Sequence, residues 1–167
     1  MRTVRALLVL ALVAIAVYAG YRFLSGRSAG AVGDTIAVYY CKLDGQTVVP
    51  WRVSLGPARD RRSVAFYATA QVLAGPPSGV EAVRFPAGTV VTSVDVTGAT
   101  ATVDLSGAVA SSGGGSFAET GEFKALVWTL TALPGIDAVA VRIGGKTLPT
   151  LPGGHLELDA PLKRSDF

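Results

Sequence analysis

The stretch from Ser116 to Lys146 constrains this chain most, because it carries a helix start, a helix stop, a strand and a tight turn in one run. Ser116 is followed three residues later by Glu119, the reciprocal pairing that satisfies orphan backbone N–H groups at a helix N-terminus. Phe123, Leu126, Val127 and Leu130 then recur at i, i+3, i+4 and i+7, an amphipathic stripe that must find a core. Leu133 precedes a proline, which biases it out of the helical region, and Gly135 can take the left-handed conformation that ends a helix. Beyond the break, Val139, Val141 and Ile143 alternate with Ala138, Ala140 and Arg142 as a strand, and Gly144-Gly145 suits a hairpin turn.

Ahead of this run, Thr35 to Cys41 reads as a first strand, Asp44-Gly45 as a hairpin turn, and Gln46 to Leu55 as a return strand that Pro50 restricts to an edge or bulge. Asp60 caps a helix running to Leu73, ended by Gly75 and Pro76-Pro77. Val90 to Leu105 reads as a hairpin about a Thr97-Gly98 turn, with Val94 facing Ala101, and Thr147 to Leu151 as a further strand. That register puts Asp95 and Asp104 on the outer face about 13 Å apart, beyond the 5–9.5 Å or so of a cooperating carboxylate pair.

The N-terminus has a different character. Ala6 to Tyr21 is uncharged and, as a helix, about 24 Å long; with Phe23 and Leu24 it approaches the roughly 30 Å of a hydrocarbon core. Residues 1–24 therefore predict a signal-anchor or transmembrane helix, residues 25–33 a flexible linker and residues 34–167 an extracytoplasmic domain. The alternative is a cleaved secretory signal, with a secreted or periplasmic product. Setting aside Arg2, Arg5, Arg22 and Arg27 of the fifteen basic residues, eleven remain against twelve acids, so the domain has no electrostatic footprint for nucleic acid.

Catalytic signals are sparse. Cys41 is the only cysteine and His155 the only histidine, which leaves no disulfide and no metal-ligand spacing. No nucleophile-elbow pentapeptide accompanies His155, which reads as a solvated turn residue. The loop from Ser106 to Gly115 has three consecutive glycines before a helix but lacks the lysine-hydroxyl ending of a nucleotide loop. Neither cofactor nor metal is expected. The residues that mark a candidate interaction surface are Arg59, Arg61 and Arg62 at a helix start, Trp128 off the apolar stripe, and Asp95 and Asp104.

Several phrases taken together resemble the GerMN domain of sporulation and spore-germination proteins. They are Leu73-Ala74-Gly75-Pro76, Phe85-Pro86-Ala87-Gly88-Thr89, Ala101-Thr102-Val103-Asp104-Leu105-Ser106, Thr129-Leu130-Thr131-Ala132-Leu133-Pro134-Gly135-Ile136, and Val141-Arg142-Ile143-Gly144-Gly145-Lys146. The resemblance implies an exported, non-catalytic α+β domain of the bacterial envelope with interaction or assembly roles. The expected architecture is a single mixed, largely antiparallel sheet with two main helices on one side, preceded by the N-terminal helix. The expected function is a membrane-anchored module that docks an envelope protein or itself, with the inner membrane as its other contact. A binding module for a small cell-wall ligand is the alternative, and an envelope hydrolase a more distant one.

Overall fold

The computed structural model describes residues 35–111 and 115–167. In chain order these form β1 (Thr35–Cys41), β2 (Val48–Ser54), α1 (Arg61–Ala74), β3 (Val91–Thr97), β4 (Thr100–Leu105), a 3-10 turn (Gly107–Ser111), α2 (Gly115–Leu130), β5 (Ala138–Ile143) and a terminal 3-10 turn (Arg164–Asp166). The expected anchor over 1–24 and linker over 25–33 lie outside the described residues. Among the described residues no helix is long and apolar enough to cross a membrane.

The class is α+β as expected, but the single sheet divides in two: an antiparallel β1-β2 pair and a mixed β3-β4-β5 sheet in which β4 and β5 run parallel. A parallel pair needs a crossover, and α2 supplies it. Phe123, Leu126, Val127 and Leu130 are fully buried, as the stripe requires. The burial is wider than a stripe, however, since every residue from Gly121 to Val127 is enclosed. Two sheets rather than one explain this, because α2 meets β1, β5 and α1 on different sides. Gly121 allows a close approach: a Cβ there would stand 2.9 Å from Val83 Cγ2.

The β3-β4 hairpin turns on Gly98-Ala99 and not on Thr97-Gly98, so Thr97 pairs with Thr100, Val96 with Ala101 and Val94 with Val103. Gly98 has φ 59°, and a two-residue hairpin turn with glycine first places its positive φ there. The shift is by two residues, which preserves the faces: Val94, Ala101, Val103 and Leu105 all stay buried. A bulge between Val91 and Ser93 then breaks the alternation. The expected Thr147–Leu151 strand reduces to isolated bridges, Ile143 with Lys146 and Thr150 with Glu157. The capping role expected of Glu119 is also replaced. Its buried carboxylate accepts the His155 N–H at 2.8 Å, and Gly154 lies so close that a Cβ would meet both oxygens at 2.7 Å.

Strand edges show where backbone is closed and where it is open. Lys42 N–H donates to Thr47 O, so in β1 the residues Tyr39 and Cys41 direct their groups away from β2. Each has a bonded group: Tyr39 N–H donates to Thr129 Oγ1 at 2.8 Å, and Cys41 O accepts Val83 N–H at 2.8 Å. The outer edge of β5 is closed at Val139 by reciprocal bonds with Leu162. On the other side of the hairpin, Val48, Pro50 and Arg52 point outward from β2, and Pro50 occupies the edge position its missing N–H demands. In the mixed sheet, Ala99 and Leu105 direct their carbonyls to β5, so Thr100, Thr102 and Asp104 face β3 and Val94 and Val96 point outward. Among the described residues one group bonds to that outer edge, the Arg62 side chain.

Replacing Thr129 by valine keeps the shape and strands the Tyr39 N–H. The expected loss is about 1–3 kcal/mol of unfolding free energy by urea denaturation, with retained secondary structure. A loss within error of zero would show that the β1–α2 bond does not hold the two sheets together.

Candidate functional site

Helix α1 is started by Asp60, whose carboxylate accepts Ser63 N–H at 2.9 Å and the Ser63 hydroxyl. Those bonds from Ser63 hold its carboxyl below the usual range. The three arginines around it reach carbonyl oxygens. Arg59 Nη1 donates to Gly56 O and Ala58 O. Arg61 Nη2 donates to Gly98 O at 3.0 Å and Gly135 O at 2.7 Å, tying the helix start to the β3-β4 turn and to the turn after α2. Gly135, with φ 75°, leaves room for that guanidinium, since a Cβ would stand 3.2 Å from Nη2. Arg62 lies across the β3 edge: Nε donates to Val94 O at 2.9 Å and Nη2 meets Asp95 Oδ1 at 3.4 Å. With side chains 65% and 60% exposed, the ion pair adds little, and the carbonyl bond fixes the arginine's place.

Farther along α1, Phe66, Ala70, Leu73 and Ala74 continue the row that Arg62 begins, at helical spacing. They form one wall of a groove of about 360 Å³ whose other wall is Thr89, Val90 and Val91, where β3 begins. Phe66 is 40% exposed and Val90 54%, so apolar surface is open to water along this row. Thr89 is 7% exposed, and its hydroxyl has no hydrogen-bond partner among the described residues. Sequence reasoning missed this groove. The spacing of Phe66, Ala70 and Leu73 was visible, but α1 has a second apolar row, Val64, Ala65, Ala68 and Val72, which takes the core.

Two other expected residues sit elsewhere. Asp104 pairs with Ser93, only two residues from Asp95, so the two carboxylates are diagonal neighbours, typically about 7–8 Å apart, and the 13 Å separation does not hold. Each has its own partner: Asp95 faces Arg62, and Asp104 Oδ1 accepts Gly145 N–H at 2.9 Å. Trp128 is half-buried under the C-terminal tail. The Phe167 ring meets it edge-on with centroids 6.1 Å apart, and the Arg164 guanidinium lies 5.5 Å from its centroid while donating to Trp128 O and Thr131 Oγ1.

A larger groove, about 750 Å³, lies beneath the β1-β2 hairpin between Tyr40, Val49 and Trp51 on one side and Gly79 to Glu81 on the other. Trp51 is 46% exposed over it. Asp44 on its rim has its carboxyl held down to about 2 by the Thr47 hydroxyl and by the N–H groups of Thr47 and Gln46. Burial pushes the Tyr40 phenol and the Cys41 thiol up, which leaves the thiol protonated and inert. Among the described residues, no group of three or more histidine, cysteine or acidic side chains is placed to hold a metal ion.

Comparison with known proteins shows similarity over most of this domain. The family model described as "Germane: Sporulation and spore germination" matches residues 37–149. The first GerMN domain of the sporulation protein GerM from Bacillus subtilis is 29% identical, with 79% of this chain and 98% of that one covered and a TM-score of 0.62. The tandem GerMN domains of the same protein are 28% identical with a TM-score of 0.63; 80% of this chain is covered, and it spans only 47% of the tandem. A Clostridium perfringens protein described as a lipoprotein shares the fold at 16% identity, with coverage of 82% and 93% and a TM-score of 0.61. No curated protein matches this sequence.

The arginine contacts rank by partner. Arg61→Ala removes two carbonyl bonds and is expected to cost about 1 kcal/mol in urea unfolding, while Asp95→Asn, which weakens only an exposed ion pair, costs under about 0.5 kcal/mol. Equal effects would contradict that ranking.

Proposed function

The chain belongs to the Germane family of sporulation and spore-germination domains, and from that membership we propose that it is a non-catalytic interaction module of the bacterial cell envelope. In this reading residues 1–24 anchor it in the membrane, and the domain docks a protein partner on the extracytoplasmic side. A sporulation protein and a lipoprotein among its relatives support an envelope setting. One observation carries the docking role: among the described residues, the outer edge of β3 has open main-chain groups and lies beside an apolar groove. Open strand edges invite pairing, and folded proteins usually cover or guard them. An edge left open beside exposed apolar side chains fits a surface that another protein covers.

The groove beneath the β1-β2 hairpin favours a second reading. Its volume of about 750 Å³ falls in the range of small-ligand sites, and the exposed face of Trp51 offers a stacking surface for a cell-wall fragment.

In-cell chemical crosslinking of the full-length protein in its host, followed by mass spectrometry of the membrane fraction, separates the two. A reproducible crosslink to a protein, or to a second copy at one surface, is the expected result. Recovery as an uncrosslinked monomer carrying only cell-wall material would overturn the docking reading and favour the ligand.

A further inference from the structure

Four observations converge on the outer edge of β3. Val94 and Val96 direct their main-chain groups outward there, and among the described residues only the Arg62 side chain has taken one of them, Val94 O, at 2.9 Å. The other open edge, β2, carries Pro50 at an outward position and so lacks a donor in its middle; β3 has no proline and keeps the Val94 and Val96 donors beyond its bulge. The groove beside the edge is apolar, walled by Phe66, Leu73 and Val90, and encloses the Thr89 hydroxyl, which has no hydrogen-bond partner among the described residues. At its far end stand Arg61 and Arg62, at the positive end of the α1 dipole, with Arg61 bonded to uncharged carbonyls and Arg62 facing one exposed carboxylate.

Each feature sets one property of an occupant. A strand edge accepts an extended backbone, the groove an apolar side chain, and the arginine end a carboxylate. We propose that this edge binds an extended, acidic-apolar segment of a partner protein as a fourth strand on β3, an inference that rests on the docking reading above. Arg62 holds the place of the incoming strand: its Nε donates to Val94 O where a partner main-chain N–H would, and its exposed stem can withdraw toward the partner's carboxylate. Spacing follows from the strand. Val90 stands just before β3 and the Val91–Ser93 bulge takes up one residue before Val94, so the apolar anchor and the acid are three to four residues apart in the ligand, a span of at most about 13 Å. Thr89 then finds its hydrogen-bond partner in the segment that fills the groove.

The probe is a fluorescein-labelled, acetylated heptapeptide with leucine second, valine fourth, aspartate sixth and threonine elsewhere, made also in reverse order to cover both strand directions. Fluorescence anisotropy against the full-length protein should show saturable binding of one of the two. That binding should weaken at least about tenfold, close to 1.4 kcal/mol, when alternate peptide nitrogens are methylated, a change that removes main-chain donors and keeps the side chains. Ala70→Arg, which fills the groove, and Phe66→Asp, at an exposed position that tolerates a charge, should each weaken it as much, with unchanged circular dichroism. Binding of neither peptide, binding indifferent to methylation, or dimerisation through β3 that excludes the peptide would overturn the inference. If crosslinking in cells finds a protein partner on a different face, the docking function stands and this site falls.

Discussion

The hydrogen bond from Tyr39 N–H to the Thr129 hydroxyl joins the only two sheets among the described residues through one helix. A two-stranded pair is marginal in water, and three strands need a covered face to persist. Helix α2 gives both sheets that cover, and the near-complete burial from Gly121 to Val127 is the consequence. Because the bond comes from an outward-facing group of β1, it also closes an edge. Leu162 does the same for β5, and the C-terminal Arg164 and Phe167 extend that closure over Trp128. Enclosing α2 therefore uses groups of several edges, and among the described residues β3 keeps open donors at Val94 and Val96.

How much of this could be read beforehand depended on sequence distance. The limits of β1 and α1, the Asp60 cap, the break at Leu133-Pro134-Gly135, β5 and the edge position of Pro50 all rest on neighbours a few residues away, and they were legible. So were the faces of the β3-β4 hairpin, since a shift of two leaves side-chain parity intact. The register itself was missed because Gly98 can stand first or second in a two-residue turn, and it stands first. Glu119 reads as a capping residue by local rule, yet its carboxylate meets a backbone N–H thirty-six residues on. Contacts of that span leave no periodic trace.

The candidate surface divides along the same line. Positive charge at a helix start, where the dipole does not favour it, singled out Arg61 and Arg62 in the sequence. Their targets, the carbonyls of Gly98, Gly135 and Val94, lie far along the chain and became visible only in the fold. The GerMN-like phrases, by contrast, are turns and core patterns, which is why they located the family and were silent about a docking edge. Membership places the domain among sporulation and germination proteins, and the surface chemistry at β3 is the basis of the docking we propose. Among the described residues, folding leaves open main-chain groups along the outer edges of β2 and β3.

Amide hydrogen exchange, read residue by residue on the unbound full-length protein, tests that claim most directly. An open β3 edge requires the Val94 and Val96 amides to exchange at least about tenfold faster than the Tyr39 amide, which the Thr129 hydroxyl holds. Protection of Val94 and Val96 equal to that of Tyr39 would mean that the chain covers this edge itself, and no partner strand could be received there.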